Sequence, residues 1–231
     1  RDIGDDGLEV TLAERSGRIH ADLKIGADVA SAAPLTSNSR LSNTGFILGN
    51  RGFLIDRDAR AERINANPCI EALTFPLFNG EDIVGRCRDT FVIDAFGLTE
   101  SELRATCPIA WQWLFDRVFP ERQENRDPRV RERWWIFRRT NDQVRAATAA
   151  LSYFFVTPET AKHRVFVSLP AGSRPEHSLI VLALADRYFQ GVVSSRLHAA
   201  WALATGSRLG VGNDPRYNKS RCFETFPFPS P

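Results

Sequence analysis

Three strand-length apolar runs, Ser152–Val156, His163–Leu169 and Ser178–Leu184, follow one another late in the chain. Each is rich in Val, Phe or Ile and bounded by Pro, Gly or Ser, the composition of a pleated, half-buried surface. They most simply form one antiparallel sheet. After them Asp186 to Thr205 reads as the last long helix, broken at Gly206. The pattern predicts an α+β fold, with an antiparallel sheet and helices from Asp186 onward closing the C terminus.

Upstream signals are shorter. Two strands are expected around Leu8–Leu12 and Arg18–Leu23. Gly45–Leu48 and Gly52–Ile55 flank Gly49-Asn50-Arg51 and read as a hairpin. Asp56 can cap a helix running through Ile64, ended by Asn67-Pro68. The stretch Thr74–Ile83 reads as a turn built on Pro76 and Asn79-Gly80. Thr90–Ala95 reads as a strand. Thr99 and Glu102 form a capping box, Pro108 restarts the helix, and Pro120 closes it. Glu121 to Arg145 is the most charged segment, with Trp134, Trp135 and Phe137 embedded in it.

The 231 residues suffice for one large domain or two small ones, and a hydrophobic fraction of 43% is that of a globular chain. A net charge of +2 requires no polyanionic partner, but only Lys24, Lys162 and Lys219 among the 30 basic residues are lysine. Arginine's planar fork suits phosphate and guanine edges. A genome rich in G and C would produce the same bias. The cysteines at 69, 87, 107 and 222 lack the spacing of a zinc knuckle and are expected to be reduced, buried thiols. No apolar run reaches membrane-spanning length. The absence of Met and the start at Arg1 suggest a piece of a longer polypeptide.

No catalytic set emerges. Glu81-Asp82 in a turn more often bind local backbone than a metal or a proton in transit. Ser194-Ser195 lie within the expected helix, and His163 and His198 have no nucleophile in a signature context. Gly210-Val211-Gly212 has neither the strand nor the helix of a dinucleotide site. Asn213-Asp214-Pro215-Arg216-Tyr217 departs from the Asn-Pro-Pro-aromatic pattern of adenine methyltransferases.

Binding is better supported. If Thr160–Arg164 opens a strand, Lys162 and Arg164 share one face and can reach base edges in a major groove. The alternative is a pair of solvated charges on a sheet rim. Phosphate contacts are expected from Arg133, Arg138 and Arg139 in the charged segment and from Arg216 and Lys219 in the terminal loop. The alternative there is a helix face laced with ion pairs.

Six blocks in order carry a family resemblance: PLTSNSRLSNTGFILGNRGFLI, PLFNGEDI, PERQENRDPRVRERWWIF, TAKHRVFVSLP, GVVSSRLHAAWALATGSRL and PRYNKSRCFETFPFP. Together they resemble the C-terminal third of MmeI-like, type IIL restriction–modification enzymes. The resemblance implies a target recognition domain over residues 1–184 and a C-terminal helical segment over 185–231. It implies a module that reads double-stranded DNA in a bacterial, cytoplasmic enzyme, with Lys162 and Arg164 at the specificity positions. Adenine-N6 methylation and any cleavage would then belong to methyltransferase and nuclease domains before Arg1. S-adenosylmethionine and Mg2+ would serve those domains, and no cofactor or metal is expected here. The alternative is an interdomain scaffold of the same enzyme that reads no bases.

Overall fold

The computed structural model describes residues 2–3, 9–10, 14, 16–20, 25–209 and 214–229. Residues 1–33 and 34–231 form separate compact units. In the first, β1 (Asp2–Ile3) pairs antiparallel with β2 (Glu9–Val10), and Ile19 bridges Ile25. The rest of the two strands expected there lies outside the described residues, as do Lys24 and Gly210–Asn213.

The second unit is built on two four-stranded sheets. One has the order β3 (Ser42–Thr44), β10 (Leu179–Leu182), β7 (Tyr153–Pro158), β8 (Val167–Pro170), antiparallel throughout. The three late apolar runs therefore do make one antiparallel sheet, with a strand from the N-terminal side added at its edge. Leu179–Leu182 is buried at every position, as befits a strand covered on both faces. The other sheet has the order β4 (Leu54–Asp56), β6 (Thr90–Ile93), β5 (Thr74–Phe78), β9 (Arg174–Pro175), with β5 and β9 parallel.

Several local expectations change. Gly45–Leu48 and Gly52–Ile55 do not pair. Ile47 bridges Arg139, Asn50 caps a 3-10 turn over Arg51–Phe53, and β4 pairs with β6. Thr74–Phe78 is a strand despite Pro76, because β9 pairs only with Leu77 and Phe78 and asks no ladder bond of the proline on that side. Pro120 opens a helix, α5 (Phe119–Gln123), instead of closing one, since its missing N–H is harmless in a first turn. The final helix is two, α8 (Arg187–Val193) and α9 (Arg196–Thr205), because the Ser195 hydroxyl accepts the His198 amide and caps a new start. Asp56 caps α1 (Arg57–Ala66), Asn79 caps α2 (Gly80–Val84), and the Thr99–Glu102 capping box opens α3 (Glu100–Thr106), which leads into α4 (Pro108–Arg117).

Two hydrophobic clusters hold the unit. The larger joins the β4–β9 sheet to α3, α4 and the Trp134–Phe137 turn. The smaller joins Phe155, Ile180 and Leu182 of the central sheet to Val193, Ala202, Tyr217 and Phe223. Residues either side of position 184 thus share one core. Asp94 lies buried between Arg145 and Arg174, at 2.8 and 2.6 Å, and ties α7 (Asp142–Thr148) to β9. Cys69 and Cys107, expected as thiols, form a disulfide across 5.4 Å of Cα separation, which links the turn after α1 to the start of α4. Cys87 and Cys222 are free.

Candidate nucleic-acid interface

The segment between β7 and β8 is the clearest candidate reading element. Its stem is fixed by backbone bonds: Glu159 N donates to Ser178 O at 2.8 Å, Ala161 N to Pro215 O at 3.2 Å, and Tyr217 N to Glu159 O at 2.6 Å. Beyond the stem, residues 161–166 are a bend, and β8 starts only at Val167. The strand alternation expected at Thr160–Arg164 is therefore absent, and Lys162 and Arg164 do not share a face. Lys162 and His163 are exposed at the apex.

Arg164 turns inward. Its Nη1 donates to Thr157 Oγ1 at 3.0 Å and to the Pro158 carbonyl, and its Nη2 to Pro215 O at 3.1 Å. The guanidinium lies 5.1 Å from the Tyr217 ring centroid. Burial lowers its pKa, with Tyr217 and Cys222 acting the other way. With three of its donors held by Thr157, Pro158 and Pro215, the guanidinium presents no free Nη fork to a guanine edge in this arrangement, which weighs against its expected base contact.

The terminal-loop bases are also engaged. Arg216 Nη2 meets Glu159 Oε1 at 2.8 Å, and Lys219 Nζ meets Glu224 Oε1 at 2.9 Å. Each phosphate contact assigned to them must compete with a carboxylate already in place. Behind them His198 Nε2 and the Tyr217 hydroxyl stand 2.8 Å apart, with Phe226 packed edge-on to the imidazole. Burial, then the Arg164 charge, pushes the His198 pKa down to about 4, and burial raises that of Tyr217. This end of the chain is a packed buttress.

The charged segment is the reverse. Arg133, Arg138 and Arg139 are exposed, and among the described residues none pairs with a carboxylate. The acids expected to lace this region do other work. Glu121 accepts from Asn50 Nδ2, and Asp127 caps α6 (Pro128–Glu132) by accepting from Arg129 N at 3.0 Å.

A cleft of about 860 Å³ runs beside Lys162, lined also by Asn79, Gly80, Glu176 and Ser178. A neighbouring cleft of about 820 Å³ shares Asn79 and Glu176 with it and extends to Arg51 and Arg117. No sequence signal marks these two arginines. Arg117 packs 3.7 Å from the Trp113 ring centroid, and only the pairing of α4 with the Arg51 turn brings the two together.

Asp82 is not free for chemistry. Burial raises its pKa, but hydrogen bonds from Arg88 and from the Asn79 and Arg88 amides outweigh this and hold it below the usual range. Among the described residues no three His, Cys, Asp or Glu side chains are grouped to hold a metal ion, and no helix is long and apolar enough to cross a membrane.

The architecture has known counterparts. The solved structure of the Type IIL restriction-modification enzyme MmeI in complex with DNA superposes with a TM-score of 0.69 at 19% identity, over 95% of this chain and 29% of that one. DNA methyltransferase A of Bacillus subtilis (strain 168) is 29% identical over 100 residues, 41% of this chain and 10% of that protein. The chain thus spans under a third of the length of either relative. The family model described as MmeI, target recognition domain matches residues 33–230. The chain belongs to the MmeI target recognition domain family.

Proposed function

We propose that this domain reads a short asymmetric site in double-stranded DNA and presents it to an adenine-N6 methyltransferase, and to any nuclease, on the same polypeptide. The observation that carries the reading is an exposed Lys162, unpaired among the described residues, at the apex of a stem-fixed loop, beside a large cleft, in a chain of this family. Lys162 is the base contact. Arg133, Arg138 and Arg139, joined by Arg51 and Arg117, take the backbone phosphates that set register. Arg164, Arg216 and Lys219 hold the loop and the tail in place. S-adenosylmethionine and Mg2+ serve the catalytic domains, the enzyme is cytoplasmic, and residues 185–231 act as a C-terminal helical segment that shares its core with the recognition domain of residues 1–184.

The internal pairing of Arg216 and Lys219 favours a scaffold for that terminal segment alone. The unpaired arginines of residues 133–139 weigh against a scaffold for the whole chain. Mapping methylated adenines in host DNA carrying the full-length enzyme, with and without Lys162→Ala, tests the proposal. A change of methylated sequence at one base pair supports it. An unchanged motif would mean that bases are read elsewhere.

A further inference from the structure

Arg122 lies at the start of the charged segment, yet it is only 3% exposed. A buried cation ordinarily comes with a carboxylate. Among the described residues Arg122 has none. Its Nη2 donates to the Leu48 carbonyl at 2.7 Å, and its buried Nε finds no acceptor among the described residues. The Leu48 carbonyl also accepts the Arg138 amide at 3.2 Å, so the one acceptor Arg122 has is shared. Its face meets the Phe53 ring at 5.4 Å from the centroid, which supplies apolar cover and a weak cation–π attraction but no counter-charge.

The side chain forms one wall of a cleft of about 280 Å³, whose rim carries Arg129, Arg133 and Arg138. One acid, Asp127, also lines the cleft, and its carboxylate caps α6. The neighbouring backbone is cut to fit. Gly49 has φ +74°, and a Cβ there would stand 2.7 Å from Arg138 Cβ and 3.3 Å from Arg122 Nη2. Only glycine combines that backbone with such close approach. Gly49 therefore lets the Arg122 guanidinium and the Arg138 side chain pack against the same backbone, and the carboxylate whose charge Arg122 feels, Glu121, already accepts from Asn50 Nδ2. Burial first, then the Arg138 charge, lowers the Arg122 pKa, with Glu121 opposing.

We infer that the Arg122–Arg133–Arg138 cleft is a preformed site for one phosphate oxyanion. The anion would accept from Arg122 at the floor and from Arg133 and Arg138 at the rim, supplying the charge and the acceptor that the floor lacks. The source is either a phosphodiester of bound DNA, which rests on the proposed function above, or free phosphate, which does not.

Two arms separate these. In the first, thermal unfolding of the 231-residue chain is followed in potassium phosphate and in potassium chloride at matched ionic strength. A saturable rise in Tm in phosphate is expected, absent in Arg133→Ala/Arg138→Ala while the Tm in chloride stays unchanged. Arg122→Lys should weaken phosphate binding at least about tenfold, since a point charge replaces a bidentate fork. If that variant does not fold, the rim double variant still decides. In the second arm, the salt dependence of duplex binding is measured for the same proteins. A slope of log K against log salt that falls by about 0.9 for each phosphate released from the protein identifies the DNA backbone as the source. A phosphate effect abolished in the rim variant with an unchanged slope identifies free phosphate. The same holds if the chain fails to bind duplex, an outcome that counts against the proposed function alone. Equal Tm in phosphate and chloride, with an unchanged slope in the rim variant, overturns the inference.

Discussion

The guanidinium of Arg164 lies over the ring of Tyr217, 5.1 Å from its centroid, and donates to a carbonyl on each side of it, at Pro158 and Pro215. One arginine thus ties the end of β7 to the terminal loop. The apex residue Lys162, two positions earlier, is exposed and has no hydrogen-bond or ion-pair partner among the described residues.

Lys162→Ala should leave the Tm unchanged, because the side chain is exposed and unpaired among the described residues. It should cost about 1–3 kcal/mol at one base pair of the site and relax discrimination there. A panel of duplexes, each changed at one base pair, measures this. Equal weakening across the panel would move Lys162 to a phosphate.

Arg164→Ala should behave differently. Removing a half-buried cation that satisfies Thr157, Pro158 and Pro215 should cost about 2–4 kcal/mol of stability, read from urea unfolding. Any loss of DNA binding should be uniform across sequences. A fully stable variant with altered specificity at one base pair would restore Arg164 as a reader.

Arg139→Ala should lower the salt slope of binding by about 0.9 with no change in sequence preference. Arg216→Ala should change the slope less, because Glu159 already neutralises that charge at 2.8 Å. Salt titrations of duplex binding compare the two, and a larger effect at Arg216 would reverse the assignment.

His198 is buried with a pKa of about 4 in the fold against 6.5 for the free side chain. The unfolded chain therefore binds the extra proton first. The fold loses stability as pH falls from 6.5 toward 4, by up to roughly 3 kcal/mol, and gains nothing more above 6.5. His198→Gln should flatten that limb in pH-dependent unfolding. An unchanged limb would place the titration in another group.

The Cys69–Cys107 bond closes a separation of 38 residues and should contribute about 3–4 kcal/mol through the entropy of the unfolded chain. Thiol titration of the unreduced, unfolded chain should find Cys87 and Cys222 alone. Reductant should lower the urea midpoint by the corresponding amount. Four titratable thiols and no response to reductant would mean that the pair is reduced.

Strand-length runs of Val, Phe and Ile determined β7, β8 and β10 on their own, and Asp56, Thr99, Glu102 and Pro108 marked helix starts, because alternation and capping act over a few residues. Six ordered blocks likewise carried the family. The exposed apex at Lys162 and the unpaired Arg133, Arg138 and Arg139 lie where the sequence put candidates. Which arginines are free was not legible. Arg164 and Arg174 look in sequence like Arg133 and Arg138, yet they are committed to Pro215 and Asp94, partners 51 and 80 residues away. Arg51 and Arg117 meet at one cleft only because α4 packs on the turn before β4. A guanidinium's role depends on which carbonyl, carboxylate or ring the fold brings within about 3–6 Å of it, and long-range packing alone decides that.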